Sequence, residues 1–508
     1  MKILFIYPDM ITPDPDWRGY YYEGIAMLSS AAKAAGHRTE LLHVFHPVGD
    51  GRILEWVEKH REGDNTLLAF SATTNQFHHV KRWAPLLKRA TGLPTIVGGM
   101  HPTLSAEDAI KADGVDMICC GDGEAPLAAI ATRLENGAGP AGVEGIWFRN
   151  EKGEVVRQAL APNTDIDAAA MPDWGIFPHY AELEVIRQNI GILMGSRGCP
   201  YNCAYCCNLA LIKQSKGRGR YLRFKEIPTL IAEIQEYRRR YPATEGIFFE
   251  DDIFGVWRKW LREFVPAYIE QVGLPFGCNM RPNLVDQEMV DLLKQAGCRR
   301  VHMAIEAGSD EVRNRILNRN LSRETLVTTF KMFKDAGIQC QSYNIIGSPH
   351  ETAPQILETI KINAEIAPDW IQHSIFYPYE GTPLYDLVHK EGLVSKTRVV
   401  TDYFADTVLE QTCIEREQVI MFQRHFKTLV KHYQRLERLP TPLRKVGTRV
   451  TDSFLGWRRA PGLVGAAATV RGWFKRNGHK PGHGGGSSDP NGKPTAAKTP
   501  SDSMEVLC

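Results

Sequence analysis

At 508 residues the chain has room for two or three domains and a sizeable core. Its 61 basic and 59 acidic side chains leave a formal charge of +2, which excludes the global basic footprint of a nucleic-acid-binding protein. Eleven cysteines, an odd number, behind a start (MKILFIYPDM) with no charged and then apolar leader point to a reducing cytoplasm, and no apolar run approaches the ~20 residues of a membrane-spanning helix.

Residues 1–140 alternate short β-rich runs with amphipathic stretches, the pattern of a doubly wound, Rossmann-like α/β domain with a parallel sheet. The predicted strands are KILFIYP, HRTELLHV, TLLAFSAT, PTIVGG and VDMICCG, with helices near Glu23–Ala35, Arg52–His60, His78–Arg89, Ser105–Lys111 and Glu124–Glu135. Ligands of such sheets sit at the carboxyl ends of the strands. A proline-bearing linker (Pro162, Pro172, Pro178) over 141–188 leads to a second alternating region, 189–390. There GILMGS, EGIFFED, PFGCNM, RVHMAIEAG, QSYNIIG and DWIQHSIFYP predict a partial (β/α)6 barrel, with functional residues gathered at its strand carboxyl ends. Residues 391–480 read as a helical, basic C-terminal extension, and 481–508 have the composition of a disordered tail outside the fold.

In MGSRGCPYNCAYCCN, three cysteines stand at a C-x3-C-x2-C spacing between a predicted strand and a helix: Cys199, Cys203 and Cys206. A [4Fe-4S] cubane needs thiolates converging from one short loop, and three of them leave one iron open for a chelating S-adenosylmethionine. The alternatives are structural zinc, which usually takes four ligands in two paired sets, and a chance cluster of buried thiols. The second C-x-x-C of such a zinc site is missing, and adjacent Cys207 is expected to point away as a non-ligand.

With aromatic Tyr205 before its last cysteine, the triplet resembles the signature of the radical S-adenosylmethionine superfamily. The resemblance implies roles at later strand ends. Asp251 and Asp252 of IFFEDDIF would bind the methionine amino group, although Glu250-Asp251-Asp252 departs from the commoner Gly-Gly-Glu. Glu306 of AIEAGSD would hold the ribose hydroxyls, Gly347 of NIIGSPHET would pack on adenine, and FYPYEGTPLY resembles the end of the sixth strand.

Over roughly residues 1–390 the layout resembles the cobalamin-binding subclass of that superfamily. VGGMHPTLSAED and CCGDGEAPL match its loops after the fourth and fifth strands, which makes Gly98, Gly99, His101, Gly121, Gly123 and Glu124 candidate cofactor contacts. Taken alone, His101 reads as a loop histidine with a satisfied hydrogen bond before it reads as a cofactor contact; within this loop the two readings stand level. No G-x-G-x-x-G or Walker motif is present, which disfavours NAD and ATP, and no D-x-H-x-x-G is present either. The subclass therefore implies base-off cobalamin without a histidine ligand.

The activity so implied is methyl transfer to an unactivated carbon through a 5′-deoxyadenosyl radical and methylcobalamin. A second S-adenosylmethionine and an external electron donor such as flavodoxin or ferredoxin would serve it. The alternatives are a cobalamin-dependent cyclase or rearrangement enzyme and a non-catalytic iron–sulfur or cobalamin-binding protein. The substrate would be a small molecule or a lipid, with no nucleic acid partner; the layout and basic extension look similar to hopanoid lipid methylases.

Residues 434–480 hold eleven basic side chains against two acids, interleaved with Phe454, Leu455, Trp457, Trp473 and Phe474. Peripheral docking on an anionic membrane is expected there, the alternative being a helical extension whose aromatics pack on the barrel.

Overall fold

The computed structural model describes residues 1–10, 15–398, 400 and 402–464. The tail expected over 481–508 lies outside the described residues, as do Trp473 and Phe474. The chain opens with β1 (Lys2–Pro8), α1 (Glu23–Ala34), β2 (Arg38–Val44), α2 (Asp50–His60), β3 (Thr66–Ser71) and α3 (Phe77–Thr91). It continues with β4 (Thr95–Gly98), α4 (Met100–Leu104), α5 (Ala106–Lys111), β5 (Met117–Cys119) and α6 (Glu124–Glu135). These strands pair in parallel in the order β2-β1-β3-β4-β5. β1 and β3 are buried along their whole length, because helices cover both faces of the sheet and each strand is apolar on both sides. The order reverses between β1 and β3, so the crevice of the sheet opens at Pro8-Asp9 and Ala72-Thr73-Thr74.

The stretch 141–188 does more than connect. β6 (Ile146–Arg149) and β7 (Val155–Val156) add antiparallel and bring the sheet to seven strands. Trp174, Phe177 and Tyr180 then turn inward as a wedge. Trp174 meets Tyr237 edge-on at 5.2 Å and Tyr180 meets Tyr21 at 5.4 Å, so one apolar core runs from the first sheet into the barrel. Proline content signalled the irregular backbone there but not its burial.

The barrel is β8 (Ile190–Leu193), β9 (Ser196–Arg197), α7 (Asn208–Gln214), β10 (Arg223–Phe224), α8 (Ile227–Arg240), β11 (Gly246–Phe249) and α9 (Arg258–Gln271). It goes on through β12 (Phe276–Met280), α10 (Gln287–Gln295), β13 (Cys298–Glu306), α11 (Arg323–Asp335), β14 (Gln339–Ile346), α12 (Ala353–Ile366), β15 (Trp370–Ile375) and α13 (Pro383–Lys390). Six strands form an open parallel sheet, β8-β11-β12-β13-β14-β15, while β9 and β10 make a separate ribbon. Outward-facing Phe249 packs on Phe264 and Tyr268 of α9.

The inner face carries a polar patch beside Phe248, whose ring stands 4.6 Å from that of His302. Asn279, His302 and Gln341 lie side by side across three strands, and Tyr343 lies beside Gln372. His302 Nδ1 is 2.8 Å from the Tyr343 hydroxyl.

Beyond the barrel the helical extension expected from 391 begins only at Arg416; the described residues between Glu391 and Glu415 hold no helix. α14 (Arg416–Glu437) and α15 (Thr441–Gly456) close the chain, with Phe422, Phe426 and Tyr433 of α14 buried in a core shared with α12. Among the described residues no helix is long and apolar enough to cross a membrane.

Candidate functional site

The three cysteines occupy the loop between β9 and α7, with Cys199 and Cys203 buried and Cys206 half-buried. Gly198 starts that loop at φ +97°, where a Cβ would lie 2.8 Å from the Tyr221 carbonyl oxygen, so only glycine fits. Its N–H donates to Asp252 Oδ2 at 3.1 Å.

Cations and donors surround the sulfurs. Arg281 Nη1 reaches Cys203 Sγ at 3.4 Å, Arg319 Nη1 stands at 4.0 Å, and Asn208 Nδ2 reaches Cys206 Sγ at 3.4 Å. A hydrogen bond from Cys207, helped by Asn208, brings the Cys206 thiol down to about 7. Three thiols from one loop, with two guanidinium groups turned toward a sulfur, suit an anionic cluster that lacks a fourth protein ligand. Among the described residues no three His, Cys, Asp or Glu groups stand close enough to hold a metal ion. A lone zinc draws its ligands to about 2.0–2.3 Å; a cubane holds each thiolate on a separate iron.

The acids after β11 divide their work. Asp251 is 1% exposed and spends both oxygens on the turn after β8, accepting from Gly195 N–H at 3.0 Å and from the Ser196 hydroxyl. Asp251 thus ties the turn after β8 to the end of β11. Asp252 is exposed; besides the Gly198 N–H it accepts from Asn208 Nδ2 at 3.4 Å, and desolvation raises its pKa.

Across the barrel mouth, Glu306 ends β13 at φ +64°, a conformation costly for a non-glycine residue and typical of ligand clamps. Its Oε1 accepts from the Tyr205 hydroxyl at 2.6 Å and lies 3.7 Å from Arg319 Nη1. The bend that holds it depends on Gly308, whose N–H donates to Thr359 Oγ1 at 2.8 Å and where a Cβ would overlap the Glu358 carbonyl. Gly308→Ala should therefore cost about 3 kcal/mol; an unchanged thermal midpoint would contradict this packing. Gly347 lies at the end of β14, where a Cβ would meet Val419 of α14 at 3.0 Å.

The loops of the first domain are used unevenly. Gly98 ends β4; Gly99, at φ +99°, lets the chain pass where a Cβ would stand 2.8 Å from the Ala72 carbonyl oxygen. His101, in α4, is buried. It stacks on Phe77 at 3.9 Å, its Nδ1 lies 3.3 Å from Thr74 Oγ1 and its Nε2 lies 3.2 Å from Asp108 Oδ2. Burial pushes its pKa down to about 4.

Gly121 donates its N–H to Thr103 Oγ1 at 3.1 Å, and Gly123 caps α6. Glu124 reaches across to the barrel: its Oε1 accepts from Arg197 Nη1 at 2.6 Å and its Oε2 from Thr164 Oγ1 at 3.1 Å. Arg197 is the second residue before Cys199. Asp122 pairs with Arg223 of β10, whose Nη1 also donates to the Thr164 carbonyl at 2.7 Å. The loop after β5 therefore clamps the ribbon that carries the cysteine loop.

Residues 193–362 match the family model of the radical SAM superfamily, and residues 21–131 match that of the B12 binding domain. The barrel thus carries a radical SAM domain match, with a B12-binding domain match ahead of it. A protein of Pyrococcus horikoshii named an uncharacterized methyltransferase is 25% identical over 336 residues, 65% of this chain and 71% of that one. The anaerobic magnesium-protoporphyrin IX monomethyl ester cyclase of Rubrivivax gelatinosus is 25% identical over 404 residues, 77% of this chain and 70% of the cyclase. The solved structure of OxsB, a cobalamin-dependent S-adenosylmethionine radical enzyme with aqua-cobalamin bound, aligns with a TM-score of 0.67 at 13% identity, covering 94% of this chain and 75% of that one.

Several residues of this chain escape motif reading. Tyr20, after the first strand, donates its hydroxyl to Glu250 Oε2 at 2.6 Å and so joins the B12-binding domain to the second barrel strand. Burial lifts Glu250 to about 7. Glu250 stood in the same acidic string as Asp251 and Asp252; nothing in the sequence set it apart. Arg281 and Arg319 approach Cys203 from positions 78 and 116 residues away, a distance no local pattern encodes.

Proposed function

We propose that this chain transfers a methyl group to an unactivated carbon. One observation carries the reading: the loop after β5 of the B12-binding domain grips the ribbon that carries the cysteine loop, through Glu124–Arg197 and Asp122–Arg223, so the two cofactor regions face each other at fixed spacing. Cys199, Cys203 and Cys206 would hold a [4Fe-4S] cluster which, with S-adenosylmethionine and methylcobalamin bound, supplies radical generation and a transferable methyl group. Arg281 and Arg319 balance the charge of the thiolates. Asp252 and Glu306 present carboxylates at the strand ends, suited to the amino group and ribose hydroxyls of S-adenosylmethionine. An external donor such as flavodoxin or ferredoxin supplies electrons in this scheme.

Both ring nitrogens of His101 lie within hydrogen-bond reach of side chains of its own domain, Thr74 and Asp108, which supports base-off cobalamin without that histidine as a ligand. Anaerobic protein given hydroxocobalamin should show a base-off spectrum, unchanged by His101→Ala; a base-on spectrum would refute the histidine-free arrangement.

The inner face of the barrel, with Asn279, His302, Gln341, Tyr343 and Gln372, favours a substrate whose reacting end carries hydrogen-bonding groups. A bare hopanoid skeleton matches that lining poorly, whereas an amphiphile fits it. The deciding experiment compares a strain lacking this chain with its parent: a product that loses one methylene in mass supports the proposal. A ring-opened precursor of unchanged carbon count would support the cyclase reading, which the coverage of the Rubrivivax gelatinosus cyclase favours.

A further inference from the structure

α15 has two unlike faces. One packs against the protein: Asp452 accepts from Lys361 Nζ at 2.5 Å and from the Tyr433 hydroxyl at 2.6 Å, and Leu455 is buried. On the other, Leu443, Val446, Val450 and Phe454 recur at helical spacing and form one stripe, with Trp457 just past the helix end. They are 60%, 61%, 64%, 40% and 50% exposed, so the stripe has no covering among the described residues. Single exposed apolar side chains need no explanation, but an aligned row marks an interaction surface. Lys445, Arg449 and Arg459 flank it, all exposed and without an ion-pair partner among the described residues. Arg444 and Arg458 are held by Glu437 and Glu415.

We propose that this face of α15 docks the protein on an anionic lipid surface, with the five apolar side chains in the headgroup boundary and the three free cations against lipid phosphates. A second copy of the chain would bring the rows of cations together; an anionic bilayer offers apolar depth and opposite charge at once. The structure alters which residues take part, since Leu455, expected in the membrane, belongs to the packed face.

The Trp457 end of the stripe lies by the barrel rim. Arg458 Nη2 donates to the Thr412 carbonyl at 3.1 Å, and neighbouring Gln411 donates to the Ser348 carbonyl after β14 at 3.2 Å. Docking therefore sets the strand-end rim beside the lipid. The inference is independent of the chemistry proposed above.

The test is co-sedimentation of the full chain with vesicles of phosphatidylcholine containing phosphatidylglycerol, against phosphatidylcholine alone. Binding should require the anionic lipid, weaken with salt, fall about tenfold or more in Val446→Ser/Val450→Ser, and fall about fivefold for each of Lys445→Gln and Arg449→Gln. These positions are exposed, so circular dichroism should report an unchanged fold in every variant. Wild-type protein that stays in the supernatant, serine variants that bind as well as wild type, or a lipid-free dimer in sedimentation velocity that the serine substitutions dissolve would each overturn the proposal.

Discussion

Cys203→Ala should reduce iron to well below the ~4 per chain of a thiolate-held cubane and bring 5′-deoxyadenosine formation down to that of protein-free reagents. Cys199→Ala and Cys206→Ala should do the same, because each thiolate holds a separate iron and no other cysteine lies on the loop except Cys207. Cys207→Ala should keep both iron and turnover, since the C-x3-C-x2-C spacing is complete without it. Arg281→Leu should fall between these limits. It removes the guanidinium 3.4 Å from Cys203 without removing a ligand, and partners of that kind typically matter by about 10- to 100-fold in metal retention. Iron analysis and anaerobic turnover give the answer; full turnover in Cys203→Ala would remove the cluster assignment altogether.

Glu124→Ala should damage the enzyme in a different way. The carboxylate and the Arg197 guanidinium are 10% and 19% exposed, and cutting one partner from so sheltered a pair costs about 3–5 kcal/mol. In a chain of this size that lowers the thermal midpoint by roughly 5 °C. Replacing both, as Glu124→Leu/Arg197→Leu, should restore most of the stability, because no charge is left alone. Function should not return with it. Iron content in the double variant should match wild type, while transfer of label from methyl-labelled S-adenosylmethionine into product drops at least about tenfold, the loops no longer being fixed against each other. If the double variant transfers label at the wild-type rate, the clamp is merely a stabilising contact.

Parallel strands covered on both faces leave unbroken apolar runs, and KILFIYP, TLLAFSAT and the six barrel segments could be read almost to the residue for that reason. β6 and β7 were hidden: Ile146–Arg149 is short, antiparallel and set among glycines and prolines that read as a linker. The site was legible where one short stretch supplies all the parts, as in the cysteine loop. It was not legible where orientation decides. The motifs name His101 and Asp251 but not their partners, Thr74 for the one and Gly195 with Ser196 for the other. Glu124 and Arg197 are 73 residues apart, and only the packing of two domains tells that they meet.

The wedge of Trp174, Phe177 and Tyr180 bears on dissection of the molecule. Because it belongs to the same core as α1 and α8, a fragment ending at 140 would bare Tyr21 and its neighbours to water, at about 25 cal/mol for each Å² of apolar surface uncovered. Excision of the B12-binding half should therefore yield an aggregating fragment, and swapping that half between related enzymes should succeed only when the cut is moved to Asn189, past the wedge, so that the graft carries its own lining with it.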